Sequence, residues 1–230
     1  MLGPPTGTVT TVCFSMLASV ASGTTLAVAG AVTVTMVRRR AELPLALLPL
    51  LFGLQQLVEA VVWWSLEHDA AVLNNASTFT YMLFSHVWWP VFVPLTFLCI
   101  ETVSWRRKVL SVFAAIGSGV AVQGLYTVLV GPATSRVLHG SIQYEMPPWL
   151  VIALYVLCTC VAAFFSSRRF VRGLGAAALA LALLTLWLYL DLFVSVWCFF
   201  CAVLTVAILV YFVALTRADW SRGTERALMR

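Results

Sequence analysis

The sequence predicts an all-α integral membrane protein, a bundle of seven transmembrane helices. Hydrophobic residues make up 62% of the chain and charged residues only 10%, whereas a soluble domain usually carries about 25% charged residues. Because so few charges cannot cover a soluble surface of this size, the composition excludes a soluble enzyme, a disordered protein and a secreted disulfide scaffold. The apolar residues lie in long runs, and short clusters of basic residues separate these runs.

Seven apolar runs are long enough to cross a bilayer, which requires about 20 residues of helix. The last two form one continuous run from Gly173 to Leu215, and Asp191 is the best position for a turn inside it. The predicted spans are residues 9–37, 44–66, 77–100, 109–131, 149–166, 173–192 and 194–215.

The basic residues predict the orientation of these spans. All of the lysine and arginine residues except Arg136 follow spans one, three, five and seven. The positive-inside rule then places the N-terminus outside and the C-terminus in the cytoplasm. The net charge of +5 therefore indicates membrane topology rather than nucleic-acid binding. We expect a multi-pass protein of a bacterial plasma membrane, with a transmembrane domain over residues 1–216 and a basic tail over residues 217–230.

Span two carries the main polar constellation of the sequence. Gln56, Glu59 and Trp63 are three and four residues apart and share one helix face, and Gln55 lies one turn from Glu59. An ionisable side chain inside a membrane span is a functional candidate by default. Because a low dielectric disfavours the charged form, we expect Glu59 to be uncharged at neutral pH. The alternative is a cluster that only joins helices by hydrogen bonds.

Further polar and aromatic residues lie at the same predicted depth as Glu59, in the outer half of the membrane. Pro90 and Pro94 interrupt span three and are expected to free backbone carbonyl groups into a cavity. We expect one pocket at this depth. Its candidate catalytic residues are Glu59, Asp191 and His86, and its candidate substrate-binding residues are Phe14, Ser15, Gln55, Gln56, Trp63, Trp89, Tyr126 and Trp197. For His86, the alternative is a buried histidine that only satisfies hydrogen bonds.

The tryptophans include two adjacent pairs, Trp63 with Trp64 and Trp88 with Trp89. Neighbouring residues of a helix cannot point in the same direction. We therefore expect one member of each pair to face lipid and the other to face the interior.

Cys198 and Cys201 form a Cys-x-x-Cys motif, which is typical of redox-active proteins. The alternative is that they are small buried apolar residues of the helix in which they lie. The three histidines lack the spacing of metal ligands, and the glycine patterns that bind nucleotides are absent. We expect no metal and no cofactor.

Three strings carry a resemblance to a known family: Cys13-Phe14-Ser15, the segment of residues 49–59, and Ser195-Val196-Trp197-Cys198-Phe199-Phe200. They resemble a family of uncharacterised actinobacterial seven-helix membrane proteins. This resemblance implies the fold but no activity.

The number of spans and the two acids, Glu59 and Asp191, are similar to the integral-membrane terpene cyclases of meroterpenoid pathways, among them the drimentine-type enzymes. This resemblance implies that the two acids protonate a farnesyl-like chain on a small molecule that enters from lipid. The chemistry needs a neutral carboxylic acid, aromatic rings that stabilise carbocations, and the exclusion of water. The alternatives are a transporter or receptor with a polar outer pocket, and a redox enzyme that uses Cys198 and Cys201.

Overall fold

The structure is a computed structural model that describes residues 15–131, 133–138 and 140–228, with side chains as far as residue 218. It confirms the all-α class, with one small β-hairpin added. The helices are α1 (Met16–Thr35), α2 (Leu43–Glu67), α3 (Ala71–Met82), α4 (Trp89–Ile100), α5 (Ser104–Val130), α6 (Trp149–Thr159), α7 (Arg169–Leu188), α8 (Phe193–Leu204) and α9 (Val206–Leu228), and the strands are β1 (Ser135–Leu138) and β2 (Ser141–Tyr144).

Six helical segments of the described chain are long and apolar enough to cross a membrane. The segment that corresponds to the fifth predicted span, Trp149–Phe165, is apolar but shorter. It consists of α6 and a 3-10 turn, Val161–Phe165. Because a 3-10 helix rises about 2.0 Å per residue instead of about 1.5 Å, this turn covers more length than the same number of residues in an α-helix. The six long segments are Met16–Thr35, Arg40–Glu67, Ala71–Ile100, Ser104–Val130, Arg169–Leu188 and Leu190–Ala218.

Several helix boundaries differ from the predicted spans. Helix α1 begins at Met16 because Ser15 caps it: the Ser15 hydroxyl accepts a hydrogen bond of 3.2 Å from the Ala18 N–H. Helix α5 begins at Ser104, before the basic cluster rather than after it, since Arg106 can stay helical while its side chain reaches backbone carbonyl groups. The turn predicted at Asp191 is present as the 3-10 turn Leu190–Leu192.

The basic connections meet at one end of the bundle, which we call the arginine end. Arg168 forms an ion pair with Glu42 at 3.2 Å, and Arg106 donates to the carbonyl oxygens of Phe165 and Ser166 at 3.1 and 2.9 Å. Burial alone would raise the pKa of Glu101, but backbone N–H groups of Val103, Ser167 and Thr102 hold that pKa below its usual range. The buried Glu101 carboxylate thus fastens the α4–α5 turn to the turn before α7.

The β-hairpin closes the opposite end of the bundle. Its strands are antiparallel, with Ser135 opposite Tyr144, and β2 is largely buried. The Ser135 hydroxyl accepts hydrogen bonds of 2.9 Å from Asn74 and from Thr78, and the Tyr144 ring stacks on Tyr81 with ring centroids 4.3 Å apart. The hairpin is therefore held against α3 by hydrogen bonds and a ring contact.

A π-helical segment, Leu83–Trp88, joins α3 to α4 and ends just before two prolines. Pro90 and Pro94 lack the N–H groups that would pair with the carbonyl groups of His86 and Pro90. The freed carbonyl groups lie against α5. Gly124 and Gly117 of α5 pack directly against the His86 and Pro90 oxygens, and the Cys158 thiol lies 3.8 Å from the Pro90 oxygen.

The contact between Gly117 and Pro90 yields a testable prediction. In a Gly117→Ala variant, the new methyl group would overlap the Pro90 carbonyl oxygen, so the α4–α5 pair must separate. We expect a loss of about 1–3 kcal/mol in the free energy of unfolding, seen as a lower melting temperature in detergent. The control is Gly119→Ala on the same helix, where nothing lies within 4 Å of the added atom, and it should melt at or above the wild-type temperature. Equal melting temperatures for the two variants would contradict the close α4–α5 contact.

Candidate functional site

The Glu59 carboxyl group joins two helices inside the bundle. Glu59 is 3% exposed. Its Oε1 accepts a hydrogen bond of 2.6 Å from the Ser195 hydroxyl on α8, and its Oε2 accepts one of 3.2 Å from the Gln56 amide. A hydroxyl group can also accept a hydrogen bond, so the Ser195 contact is compatible with a protonated carboxyl group.

Glu59 forms no ion pair with any of the described residues. A carboxylate without a partner in an apolar interior is costly, and the usual outcome is that the group takes up a proton. The surroundings of Glu59 therefore favour the neutral acid. This is the protonation state that an acid catalyst, or a group that binds and releases protons, requires.

The two glutamines extend this polar junction to further helices. The Gln56 oxygen accepts a hydrogen bond of 3.3 Å from Ser22 on α1, and the Gln55 oxygen accepts one of 2.6 Å from the Trp89 indole N–H. Because an indole N–H can only donate, the contact with Trp89 fixes which way the Gln55 amide is turned. The Gln55 NH₂ group therefore points away from Trp89.

Several buried polar groups of the described residues around this junction have no partner in good hydrogen-bond geometry, although Tyr81 lies close to the Glu59 carboxyl group and Gln55 lies close to the Cys198 thiol. An unpaired buried donor costs about 1–3 kcal/mol, so a set of them indicates a region built to contact a polar group or water. Tyr81 and Tyr144 lie within electrostatic reach of Glu59, and burial raises the pKa of Tyr144 well above its ordinary value, so it remains a donor. The unpaired atoms are Gln55 Nε2, Tyr81 Oη, His86 Nε2, Tyr144 Oη and Trp197 Nε1.

Two small cavities adjoin the junction. The first, which we call the upper cavity, has a volume of about 30 Å³ and is lined by residues that include Ser85 and His86. The second, which we call the groove, has a volume of about 70 Å³ and is lined by residues that include Phe52 and Trp89. Tyr155, Trp197 and Cys198 line both cavities, whereas Glu59 lines neither. Cys198 is also close to Glu59, so the carboxyl group lies behind the wall that the cavities share.

The structure brings some of the predicted site residues together. The buried residues at or beside the junction are Glu59, Gln55, Gln56, Trp63, His86, Trp89 and Trp197. Trp89 stacks on Phe52 at 3.8 Å between ring centroids, and Trp197 stacks on Phe193 at 5.2 Å. These rings form part of the cavity walls, together with aliphatic side chains.

Other predicted site residues lie elsewhere. Tyr126 is 61% exposed on the outer surface of α5, because Gly124, two residues away, is the position that faces the π-helical segment. Asp191 is exposed in the turn before α8, and Ser15 caps α1. Phe14 lies outside the described residues.

Each adjacent tryptophan pair has one buried and one exposed member. Trp63 is 8% exposed and Trp64 is 42% exposed, while Trp89 is 1% exposed and Trp88 is 43% exposed.

Sequence reasoning missed three residues of the junction: Ser195, Tyr81 and Tyr144. Ser195 carries a signal that could have found it, since it lies one turn before Cys198 on a helix that is otherwise apolar. Tyr144 lies in a loop that showed no periodic pattern, and its position depends on a hairpin that the sequence did not indicate.

The structure also describes the cysteines of the Cys-x-x-Cys motif and the side chains that could bind a metal ion. Cys198 and Cys201 are both free thiols, and Cys198 is buried. Among the described residues, no group of three or more histidine, cysteine, aspartate or glutamate side chains could hold a metal ion.

Fold and site together define a helical protein whose apolar segments are able to cross a membrane several times and whose core contains a carboxyl group that pairs with no cation among the described residues. The chain belongs to a family of unknown function, DUF6629, whose model matches residues 12–223. No curated protein and no solved structure matches the chain.

The Trp89–Gln55 hydrogen bond leads to a prediction for the site. In Trp89→Phe, the buried Gln55 oxygen loses the indole N–H that donates to it, and we expect the free energy of unfolding to fall by about 1–3 kcal/mol. The matched control, Trp88→Phe, removes an exposed indole from the neighbouring position and should change the melting temperature little. Because Trp89→Phe also removes volume, it should be repeated in a Gln55→Leu background. If the loss there is equally large, the hydrogen bond is not its cause.

Proposed function

We propose that the protein is a membrane-bound terpene cyclase that uses neutral Glu59 to start the cyclisation of a prenyl chain on a small molecule. The observation that carries this proposal is a buried carboxyl group that has no cationic partner among the described residues, is hydrogen-bonded to Ser195 and Gln56, and lies close to cavities partly lined by aromatic rings. An acid must be uncharged and shielded from water to protonate an alkene.

In the proposed reaction, the carboxylic proton of Glu59 adds to one carbon of a prenyl double bond. The π electrons form the new C–H bond and leave a cation on the more substituted carbon, which the next double bond attacks to close a ring. The indole faces of Trp89 and Trp197 would stabilise these cations. The last cation loses a proton to a base beside it, so the product is an isomer of the substrate, and that base must pass the proton to the Glu59 carboxylate before the next turnover.

We assign the final proton to His86 rather than to Asp191. The His86 Nε2 atom has no hydrogen-bond partner among the described residues and His86 lines the upper cavity, whereas Asp191 is exposed in a turn. A neutral imidazole nitrogen can accept a proton directly from the substrate cation.

The cavities must widen for this reaction. Volumes of about 30 and 70 Å³ are well below the roughly 300–1,000 Å³ of typical ligand pockets. The Trp197 and Tyr155 rings, with centroids 5.2 Å apart, stand between the two cavities. The proposal therefore includes a movement of Trp197, which would join the cavities and open them toward Glu59. The Trp197 N–H has no partner among the described residues, so this movement would break no hydrogen bond to them.

We also propose a seven-span topology in a bacterial plasma membrane, with the N-terminus outside and the arginine end in the cytoplasm. Residues 42, 106 and 168 meet at one end of the bundle, and this supports the seven-span topology. The hairpin precedes the segment Trp149–Phe165 and residue 168 follows it. This segment must therefore run from the hairpin end to the arginine end. The proposed substrate, a prenylated small molecule, would reach the groove from the lipid.

The test is turnover of farnesylated phenols or indoles by membranes that contain the protein. Cyclisation leaves the mass unchanged and shifts the retention time in chromatography coupled to mass spectrometry. We expect Glu59→Gln to reduce turnover about 100-fold or more, the usual contribution of a general acid, because an amide cannot donate an acidic proton. The control is Glu67→Gln, an exposed carboxyl group at the end of the same helix, which should retain full activity. Loss of activity in both variants, or in neither, would contradict the role of Glu59.

A second candidate function is proton-coupled transport or reception of a small molecule. The observation that favours it is that Glu59 lines neither described cavity but lies in a string of hydrogen bonds from Ser22 through Gln56 to Ser195. If no substrate is converted while Glu59→Gln alters proton flux in liposomes and Glu67→Gln does not, this second function replaces the first.

A further inference from the structure

The arginine end contains a cavity that is separate from the Glu59 junction. It has a volume of about 410 Å³ and lies between the end of α1, the α1–α2 turn, the turn before α7, and α9. It is several times larger than the upper cavity or the groove and falls within the range of roughly 300–1,000 Å³ that small-molecule ligands occupy.

The lining of this cavity is strongly basic. Arg38, Arg39 and Arg168 contribute three positive charges, and Glu42 is the one acidic residue among the described residues that line it. Arg168 is held in place, since its Nη1 donates to Glu42 at 3.2 Å and to the Tyr211 hydroxyl at 3.3 Å. Among the described lining residues, three arginines against one glutamate give a net positive charge, which suits an anion.

Other arginines of this end already bind protein groups. Arg106 donates to the carbonyl oxygens of Phe165 and Ser166, Arg107 to that of Glu101, and Arg172 to that of Ser166. The Arg39 side chain forms no ion pair or hydrogen bond with the described residues, and it is exposed where it lines the cavity. Its guanidinium group is therefore available to a ligand, with the planar donor geometry that matches phosphate oxygens.

The remaining wall of the cavity is apolar and lies on helices that are able to cross a membrane. Met36 follows α1, and Phe212 and Leu215 lie on α9. Leu215 is 38% exposed, so this wall continues to the surface of the bundle. An occupant that fits both parts has a negative headgroup beside the arginines and a hydrocarbon chain along α9.

We propose that this cavity binds the phosphate headgroup of an anionic phospholipid, with one acyl chain against Phe212 and Leu215. Basic pockets between transmembrane helices at a cytoplasmic surface have the chemistry that such headgroups require. A soluble phosphate would use the arginines but would gain nothing from the apolar wall. The site does not involve Glu59 and stands independently of the proposed reaction.

The test measures lipid binding to the full-length protein by native mass spectrometry, after adding phosphatidylglycerol or phosphatidylcholine to the detergent-solubilised protein. We expect the wild type to retain phosphatidylglycerol in preference to phosphatidylcholine. Arg39→Gln should weaken this binding about fivefold, since one basic residue near an anionic headgroup contributes about that factor. The matched control is Arg40→Gln, the adjacent exposed arginine that does not line the cavity, and it should bind as the wild type does.

A second pair of measurements separates the lipid from free phosphate. Leu215→Ser should weaken phosphatidylglycerol binding, and inorganic phosphate at millimolar concentration should not displace the lipid. The proposal is overturned if phosphatidylcholine binds as well as phosphatidylglycerol, or if Arg39→Gln and Arg40→Gln change lipid binding equally. It is also overturned if inorganic phosphate displaces the lipid while Leu215→Ser leaves lipid binding unchanged. Melting temperatures of the variants in lipid-free detergent serve as the check on folding.

Discussion

The hydrogen bonds of the Glu59 carboxyl group are the constraint around which this bundle is organised. Glu59 lies on α2, and its two oxygens contact Ser195 on α8 and Gln56 one turn before it. Gln56 reaches α1 through Ser22, and Gln55 reaches α4 through Trp89. Four helices therefore meet at a polar junction inside a core that is otherwise apolar. Any displacement of α2 would leave buried polar groups unpaired, which is more costly than the loss of an apolar contact.

This junction requires close backbone packing around it. Gly23 of α1 lies against Gly53 of α2, where an added Cβ would be 3.0 Å from the Gly53 oxygen, and this close approach brings Ser22 within hydrogen-bond distance of Gln56. On the other side, Gly117 and Gly124 allow α5 to cover carbonyl groups that the prolines have freed. In a membrane, where no water can satisfy a free carbonyl group, such coverage replaces solvent. The polar junction and the glycine contacts therefore depend on each other.

Much of this arrangement could be predicted from the sequence because it is local. Apolar runs predict the long helices, Asp191 interrupts the last run where a turn occurs, and helical spacing places Gln56 and Glu59 on one face. The partners of that face could not be predicted. Ser195 is 136 residues away from Glu59, and which helices become neighbours depends on packing rather than on periodicity. For the same reason, the sequence placed Tyr126 in the pocket, although the rotation of α5 about its axis turns this residue outward.

The most direct test of the central claim is infrared difference spectroscopy of the purified protein in lipid at neutral pH, comparing the wild type with Glu59→Gln. The account predicts that the wild type has the carbonyl stretching band of a protonated carboxylic acid, that this band shifts in deuterated water, and that Glu59→Gln lacks it. The opposite result is that Glu59→Gln removes carboxylate bands and leaves the carboxylic acid region unchanged. That result would show that Glu59 is charged in the folded protein and would contradict the central claim.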